Sequence, residues 1–220
     1  GRPSIPVALQ ADRETVVGVK LTDRSVVAVL TDLRATVRHD VELPLPSGEV
    51  DATVETIAEA VRRLRPHGWA DMHRLGLAVS GDIDRSHGRV RHSPFLGWTN
   101  IDLAALVEDA AGLVVTLEND VKALACKEHL TGAGAGLRSF AMVTIGTGVG
   151  CSLVVDGSLV AGAFGVAGEI GHIVVDRDGP ACHCGSRGCL EAIASTAAIE
   201  RELASATGIP GITVEQGARL

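Results

Sequence analysis

In residues 168–195, GEIGHIVVDRDGPACHCGSRGCLEAIAS, three cysteines (Cys182, Cys184 and Cys189) stand within eight positions, and His172 lies ten before the first. Thiolates and imidazole in a closed set of four are the ligands that structural zinc prefers. The spacing Cys182-x-Cys184-x4-Cys189 supplies three thiolates, and Gly185 and Gly188 permit the tight turn that returns the last of them. His172 is the natural fourth ligand, expected on the preceding strand. His183 competes for that place, but it lies between two ligands and would point away once both bind. Four protein ligands leave no open position, so such a metal holds structure and does not activate water. It would staple a loop onto a helix starting at Leu190 and so place Glu191 and its surroundings. The plainer reading of the same residues is a set of free surface thiols.

The other two cysteines, Cys126 and Cys151, lie in apolar runs and read as buried core thiols. An odd count of five, three of them clustered, favours metal ligation in a reducing compartment over a disulfide framework, with the cytoplasm as the expected location. A chain of 220 residues, 46% hydrophobic, is globular and holds one large domain or two small ones. Its net charge of −7 argues against a nucleic-acid surface on this polypeptide, because such a surface needs a basic stripe. No uncharged apolar window of 18 residues occurs, nor a basic region followed by an apolar run at the start, so neither a membrane span nor a signal peptide is expected.

The elements that must carry these residues follow from periodicity. The opening GRPSIPVAL reads as a linker or strap. Two β-branched runs, 15–21 and 25–33, flank a short turn and predict a hairpin. Residues 51–65 repeat Val54, Ile57, Ala58, Val61 and Leu64 at helical spacing, and Pro66 ends the segment. RLGLAVSGDI is a strand entering a glycine turn. IDLAALVEDAAG is a short helix with Asp102 as N-cap and Gly112 as its stop. LVVTLEND is a strand ending in polar residues, followed by the helix VKALACKEHL. GAGAG at 132–136 is a loop. SFAMVTIG, VGCSLVVDGSLVAG and EIGHIVV are then expected as strands, with an Asp-Gly hairpin turn inside the second. A last helix is expected from about 190 to 206. The alternation predicts a mixed α/β fold of two lobes, with no internal repeat.

The string GEIGH…CHCGSRGCLE resembles the signature of the ROK family of repressors, open reading frames and sugar kinases, and VTIGTGVG with GSLVAGAFGVAGEIGH resembles its other diagnostic segment. The resemblance runs along essentially the whole chain. It implies the actin/hexokinase-like (ribonuclease H-like) fold, two α/β lobes holding a sugar in the cleft between them, here residues 1–117 and a partial second lobe at 118–220. It also implies a zinc on His172, Cys182, Cys184 and Cys189. Asn119 and Asp120 would bind sugar hydroxyls from the carboxyl edge of a sheet, where ligand sites of α/β folds lie. Glu169, His172 and Glu191 would add contacts, with His172 serving zinc and sugar alike, its tautomer and orientation fixed by the metal. HSPFLGWTN resembles a further sugar loop and makes Ser93 and Asn100 candidates, while Trp98 is expected to pack in the core. On spacing alone the Asn119-Asp120 pair equally suits a helix cap, and Glu191 a charge in a helix's first turn.

In a kinase of this family Asp120 would be the base that deprotonates the attacking hydroxyl, with Mg-ATP as co-substrate. Gly146, Thr147 and Gly148 offer part of a phosphate cradle. The first cradle departs from the family. Where its kinases carry Asp-x-Gly-Gly-Thr, this chain places Lys20, Thr22, Asp23 and Arg24. Side chains at the glycine positions block close approach of the backbone to phosphate. Asp23 adds a charge that repels a phosphate about 4 Å away by roughly 1–4 kcal/mol. Lys20 is also placed to pair with Asp120 across the cleft, blunting it as a base. Loss of the motif resembles the family's repressor branch, in which a winged-helix domain precedes the sugar module. The expected reading is therefore the effector module of a sugar-responsive regulator. Its operator contacts would lie in a domain outside this chain, and family precedent implies a homodimer or homotetramer. The alternative is an ATP-dependent sugar kinase with an aberrant first phosphate loop. The family module runs on past the helix after the cysteines, so the second lobe is expected to be truncated here.

Overall fold

The computed structural model describes residues 7–219; the Gly1–Pro6 part of the expected linker lies outside them. The chain forms two compact units. The first holds the described residues up to 123 together with 130–133, and the second holds 124–129 and the described residues from 134 onward.

The first unit is built on a five-stranded sheet in the order β3-β2-β1-β4-β8. Strands β1 (Thr15–Leu21), β2 (Ser25–Thr31) and β3 (Val37–Pro44) form an antiparallel meander. Strands β4 (Met72–Val79) and β8 (Val114–Asn119) continue the sheet in parallel, with Val17 opposite Leu75 and Leu77 opposite Leu117. Alternation places Val17, Val19 and Leu21 of β1 and Val26, Ala28 and Leu30 of β2 on one buried face. Helices α1 (Val50–Leu64) and α2 (Leu103–Ala111) present Ile57, Val61, Leu64, Leu103 and Val107 to the same core. A small antiparallel sheet of β5 (Asp82–Asp84), β6 (Arg89–Ser93) and β7 (Trp98–Ile101) leads into α2. Trp98 is buried, with its indole N–H donating to the Gly48 carbonyl at 2.7 Å, so it packs as expected.

The hairpin, α1, the β4 and β8 strands and the helix stop fall where periodicity places them; Gly112 takes the left-handed conformation (φ 67°) and donates to Glu108 O. Asp102 does not cap α2 through its side chain; its carboxylate instead accepts from the Arg89 guanidinium. The third strand, β3, was not foreseen.

α3 (Asp120–Thr131) follows β8 directly. In the second unit β9 (Phe140–Ile145), β10 (Val149–Val155) and β11 (Ser158–Leu159) form an antiparallel sheet. Its hairpin turns through Asp156 and Gly157, both at positive φ (49° and 76°), the backbone that a tight Asp-Gly turn requires. Two expectations fail here. EIGHIVV is not a strand. Residues Ile170–His172 make a single 3-10 turn, and the β-branched run after it pairs only locally with the returning cysteine loop, through Val175 N to Gly188 O (2.8 Å) and Leu190 N to Ile173 O (3.0 Å). The expected helix at 190–206 breaks at Ser195, whose ψ of 159° is extended, giving α4 (Leu190–Ala194) and α5 (Thr196–Thr207). The break frees the Thr196 amide to donate to Gly146 O at 2.8 Å. A short α6 (Val214–Gly217) opens with a capping box between Thr213 and Gln216. Among the described residues no helix is long and apolar enough to cross a membrane.

Candidate functional site

The cysteine loop closes as a small hairpin in which Cys182 N donates to Ser186 O at 2.8 Å and Gly188 N to Pro180 O at 2.8 Å. Gly188 is obligatory there: its φ is 66°, and a Cβ would stand 1.4 Å from the Asp176 carbonyl oxygen. The closure gathers one donor atom each from His172, Cys182, Cys184 and Cys189, all within 4.8 Å of one another. His172 Nδ1 lies 3.6 Å from Cys182 Sγ, and Cys184 Sγ 3.7 Å from Cys189 Sγ. Donors at the edges of a tetrahedron about a zinc, with bonds of about 2.0–2.3 Å, stand roughly 3.5–3.8 Å apart. The set could hold a metal ion, and its spacing is compatible with zinc. None of the cysteines forms a disulfide. His172 is delivered by the 3-10 turn and not by a strand.

The thiols differ in environment. Cys189 is fully buried, and burial pushes its thiol up to about 12. Cys184 is exposed, and a hydrogen bond from the Ser186 backbone amide holds its thiol down at about 7. A bound dication reverses the penalty on Cys189, because coordinated thiols are deprotonated. The competing His183 turns elsewhere: its Nδ1 lies 2.9 Å from Glu191 Oε1, and its ring meets His172 edge-on at 5.1 Å between centroids. Glu191, in the first turn of α4, is buried, and its Oε2 accepts from Val149 N at 2.9 Å. Glu169 is exposed and precedes the 3-10 turn. Gly146, Thr147 and Gly148 make a tight turn closed by Gly146 N to Gly148 O (2.9 Å), with Thr147 exposed. All of these residues belong to the second unit.

In the first unit Asp120 stands at the start of α3. Its Oδ2 accepts from Ser80 Oγ at 2.8 Å, and Lys20 Nζ is 4.0 Å away. Lys20 and Asp120 are on the same sheet edge of one unit, which corrects the expectation of a pair across a cleft. Asn119 does serve as a helix cap: its Oδ1 accepts from Val121 N (3.0 Å) and Lys122 N (3.2 Å), while its Nδ2 donates to Gly81 O (3.0 Å). Ser93 is fully buried and donates to Ser80 O at 2.8 Å, so its hydroxyl supports the turn that carries Ser80. Asn100 is exposed, with a left-handed backbone (φ 55°). The β1–β2 turn is closed upon itself. Thr22 Oγ1 accepts from Arg24 N (3.2 Å) and Ser25 N (2.9 Å), and the side chains of Asp23 and Arg24 extend into solvent beside it.

The sequence profile of the ROK family matches residues 16–216. The chain belongs to the ROK family. It is 45% identical to a glucokinase of Thermotoga maritima over 130 residues, 59% of this chain and 41% of that protein. It is 28% identical over 211 residues to the DNA-binding transcriptional dual regulator NagC of Escherichia coli, covering 92% of this chain and 51% of the regulator. The fold is shared with a crystal structure of a ROK family transcriptional regulator, a homologue of the E. coli Mlc protein, at a TM-score of 0.83 and 25% identity over 92% of this chain and 54% of that one. The chain therefore spans about half the length of the relatives it matches. The mixed α/β sheet is that of the ROK sugar-kinase fold, as expected from the motifs.

Ser80 is a residue beside the candidate site that sequence reasoning missed. Ser80 was findable in principle: it ends the strand whose Val79 pairs with Asn119, so strand adjacency puts it beside Asp120. His183 was weighed as a metal ligand, but its contact with Glu191 carried no sequence signal, because only the closure of the cysteine loop turns it there.

Proposed function

We propose that this chain is the sugar-sensing part of a ROK-family transcriptional regulator. The observation that carries the reading is the β1–β2 turn. A phosphate cradle needs backbone amides that are free and closely approachable. Here the Arg24 and Ser25 amides are spent on Thr22 Oγ1, and side chains stand where glycines would admit phosphate. Lys20 beside Asp120 adds a cation next to the one carboxylate placed to act as base. Relatives named as regulators, aligned over nine-tenths of the chain, support the same reading.

A polyol is bound by a fan of charged and polar groups. Asp120 and Asn119 are proposed to offer these in the first unit, with Asn100 and the buried support of Ser93, and Glu169, His172 and Glu191 in the second. Zinc on His172, Cys182, Cys184 and Cys189 is proposed as the structural metal, holding the loop against α4 with no open position. Thiolate ligands suit a reducing, cytoplasmic setting. Operator contacts are assigned to a domain other than these two units, in a homodimeric or homotetrameric protein. Regulation then requires the sugar to bind the two DNA-affinity states unequally.

The second reading, an ATP-dependent sugar kinase, is favoured by the 45% identity to a glucokinase. Calorimetry on the full-length protein separates the two. Glucose, xylose or N-acetylglucosamine should give a binding isotherm, Mg-ATP should give none, and Asp120→Asn should weaken the sugar only modestly. Saturable Mg-ATP binding, with turnover abolished by Asp120→Asn, would put the kinase first.

A further inference from the structure

His183 sits between two cysteines of the metal loop yet spends its ring on Glu191. Its Nδ1 is 2.9 Å from Glu191 Oε1, within ion-pair distance, and because a carboxylate only accepts, the contact is attractive when Nδ1 carries a hydrogen. The other oxygen, Oε2, takes the Val149 amide at 2.9 Å. The carboxylate is thus held at both ends, by the metal loop on one side and by the first residue of β10 on the other. Donor atoms of His172, His183 and Glu191 fall within 4.8 Å of one another, so the held carboxylate stands beside the imidazole of a metal ligand. Glu191 is buried, and a buried carboxylate with one fixed partner fewer loses both a charge-assisted bond and its single orientation.

We infer that His183 is a positioning residue: through its Nδ1–H it fixes Glu191 in the orientation that pins the start of β10 and aims the carboxylate at a ligand's hydroxyls. The ligand half of this inference rests on the sugar-sensing reading; the positioning half does not. The Gly146–Gly148 turn is then tied twice to the helices that follow the metal loop, through Val149 N to Glu191 of α4 and through Thr196 N of α5 to Gly146 O. Each carboxylate oxygen has two lone pairs, so one partner on each still leaves capacity for a polyol's hydroxyls.

The test uses the full-length, zinc-loaded protein with His183→Phe, which keeps a ring against His172 and removes the donor, and His183→Asn, whose amide can replace Nδ1–H. Three readouts are taken: zinc content, hydrogen exchange of the Val149 amide, and affinity for the tightest binder among glucose, xylose and N-acetylglucosamine. Both variants should keep their zinc. His183→Phe should speed Val149 exchange and weaken the sugar about tenfold, the scale of one charge-assisted hydrogen bond. His183→Asn should restore both to within about threefold, and His183→Phe should cost nothing further in a Glu191→Ala background. Unchanged Val149 exchange in His183→Phe, or equal zinc loss in both variants, overturns the inference. Faster Val149 exchange with sugar affinity untouched in both His183→Phe and Glu191→Ala upholds the positioning and removes Glu191 from the sugar site instead.

Discussion

Residue by residue, the four proposed metal ligands are not equivalent. Cys189 has no exposed surface and its thiol is pushed up to about 12, whereas Cys184 is exposed and held down at about 7. Zinc must displace a proton from every ligand that is still protonated. At pH 8 Cys184 is already largely thiolate, and Cys189 is not. As the pH falls through 7, Cys184 takes up a proton that the metal must then remove. Apparent zinc affinity should therefore fall with decreasing pH, and more steeply below pH 7, by about tenfold per pH unit for each thiol to be deprotonated. Competition with a chromophoric chelator between pH 8 and 6 measures this. Cys184→Ser should lose zinc; wild-type zinc content in that variant would remove Cys184 from the ligand set. Spacing named the candidate set; the difference between its thiols came only from burial and the Ser186 amide. What spacing did not reveal is that Ser93 lies under the site and not at its surface, because burial depends on how β6 packs beneath the Ser80 turn.

The elements show where periodicity informs and where it misleads. In β1 and β2 the β-branched runs alternate in burial, and the hairpin followed from them. In EIGHIVV the same residue types stand without a strand. Gly168 and Gly171 press the backbone against Cys151 O and Val149 O, where a Cβ would come within 2.2 Å, so the chain crosses β10 at close range and does not pair beside it. Ile173, Val174 and Val175 are left about half exposed. β3 escaped notice for the opposite reason: it is an edge strand, largely exposed, with little apolar pattern to betray it. Its entry is fixed by Asp32, buried at the end of β2, whose Oδ1 accepts from Arg34 N and Thr36 N (2.8 and 3.0 Å) and whose Oδ2 takes Arg38 (2.9 Å). These bonds, the Thr36 amide foremost, hold the Asp32 carboxyl below its ordinary value of 3.8. A depressed carboxyl contributes stability that is complete above the ordinary value and is lost as the pH falls through the lowered one. Asp32→Ala should lower the melting temperature near neutral pH by more than Asp32→Asn, which keeps an acceptor for the two amides. Both deficits should shrink as the pH falls below 3.8, and thermal scans across that range check it. A deficit constant with pH would assign Asp32 a packing role alone.

Taken as whole bodies, the two units hold themselves together by different means. The extended core cluster, from Val17 to Leu117, lies wholly within the first unit and includes strands, α1 and α2. In the second unit the buried apolar residues are few and scattered: Ala125, Val149, Cys151, Val154, Ala198 and Ile212, besides Cys182 and Cys189 of the proposed metal site. From Val160 to Cys189 it runs without a regular strand or α-helix. Such a segment sets little buried apolar surface against the entropy of ordering its backbone. Ligation at the proposed metal site would close it, as in small metal-held domains, where binding free energy is folding free energy. Removing zinc should therefore act on the second unit's own stability. In hydrogen exchange followed before and after chelation, the Val175, Cys182, Gly188 and Leu190 amides, whose partners all lie in or beside the metal loop, should lose protection by orders of magnitude. The Leu75, Leu77 and Leu117 amides, sealed in the sheet, should keep theirs. Retained protection at Gly188 and Leu190 after chelation would show that the loop's own backbone bonds suffice. The metal would then be a ligand the fold accepts and not one it needs.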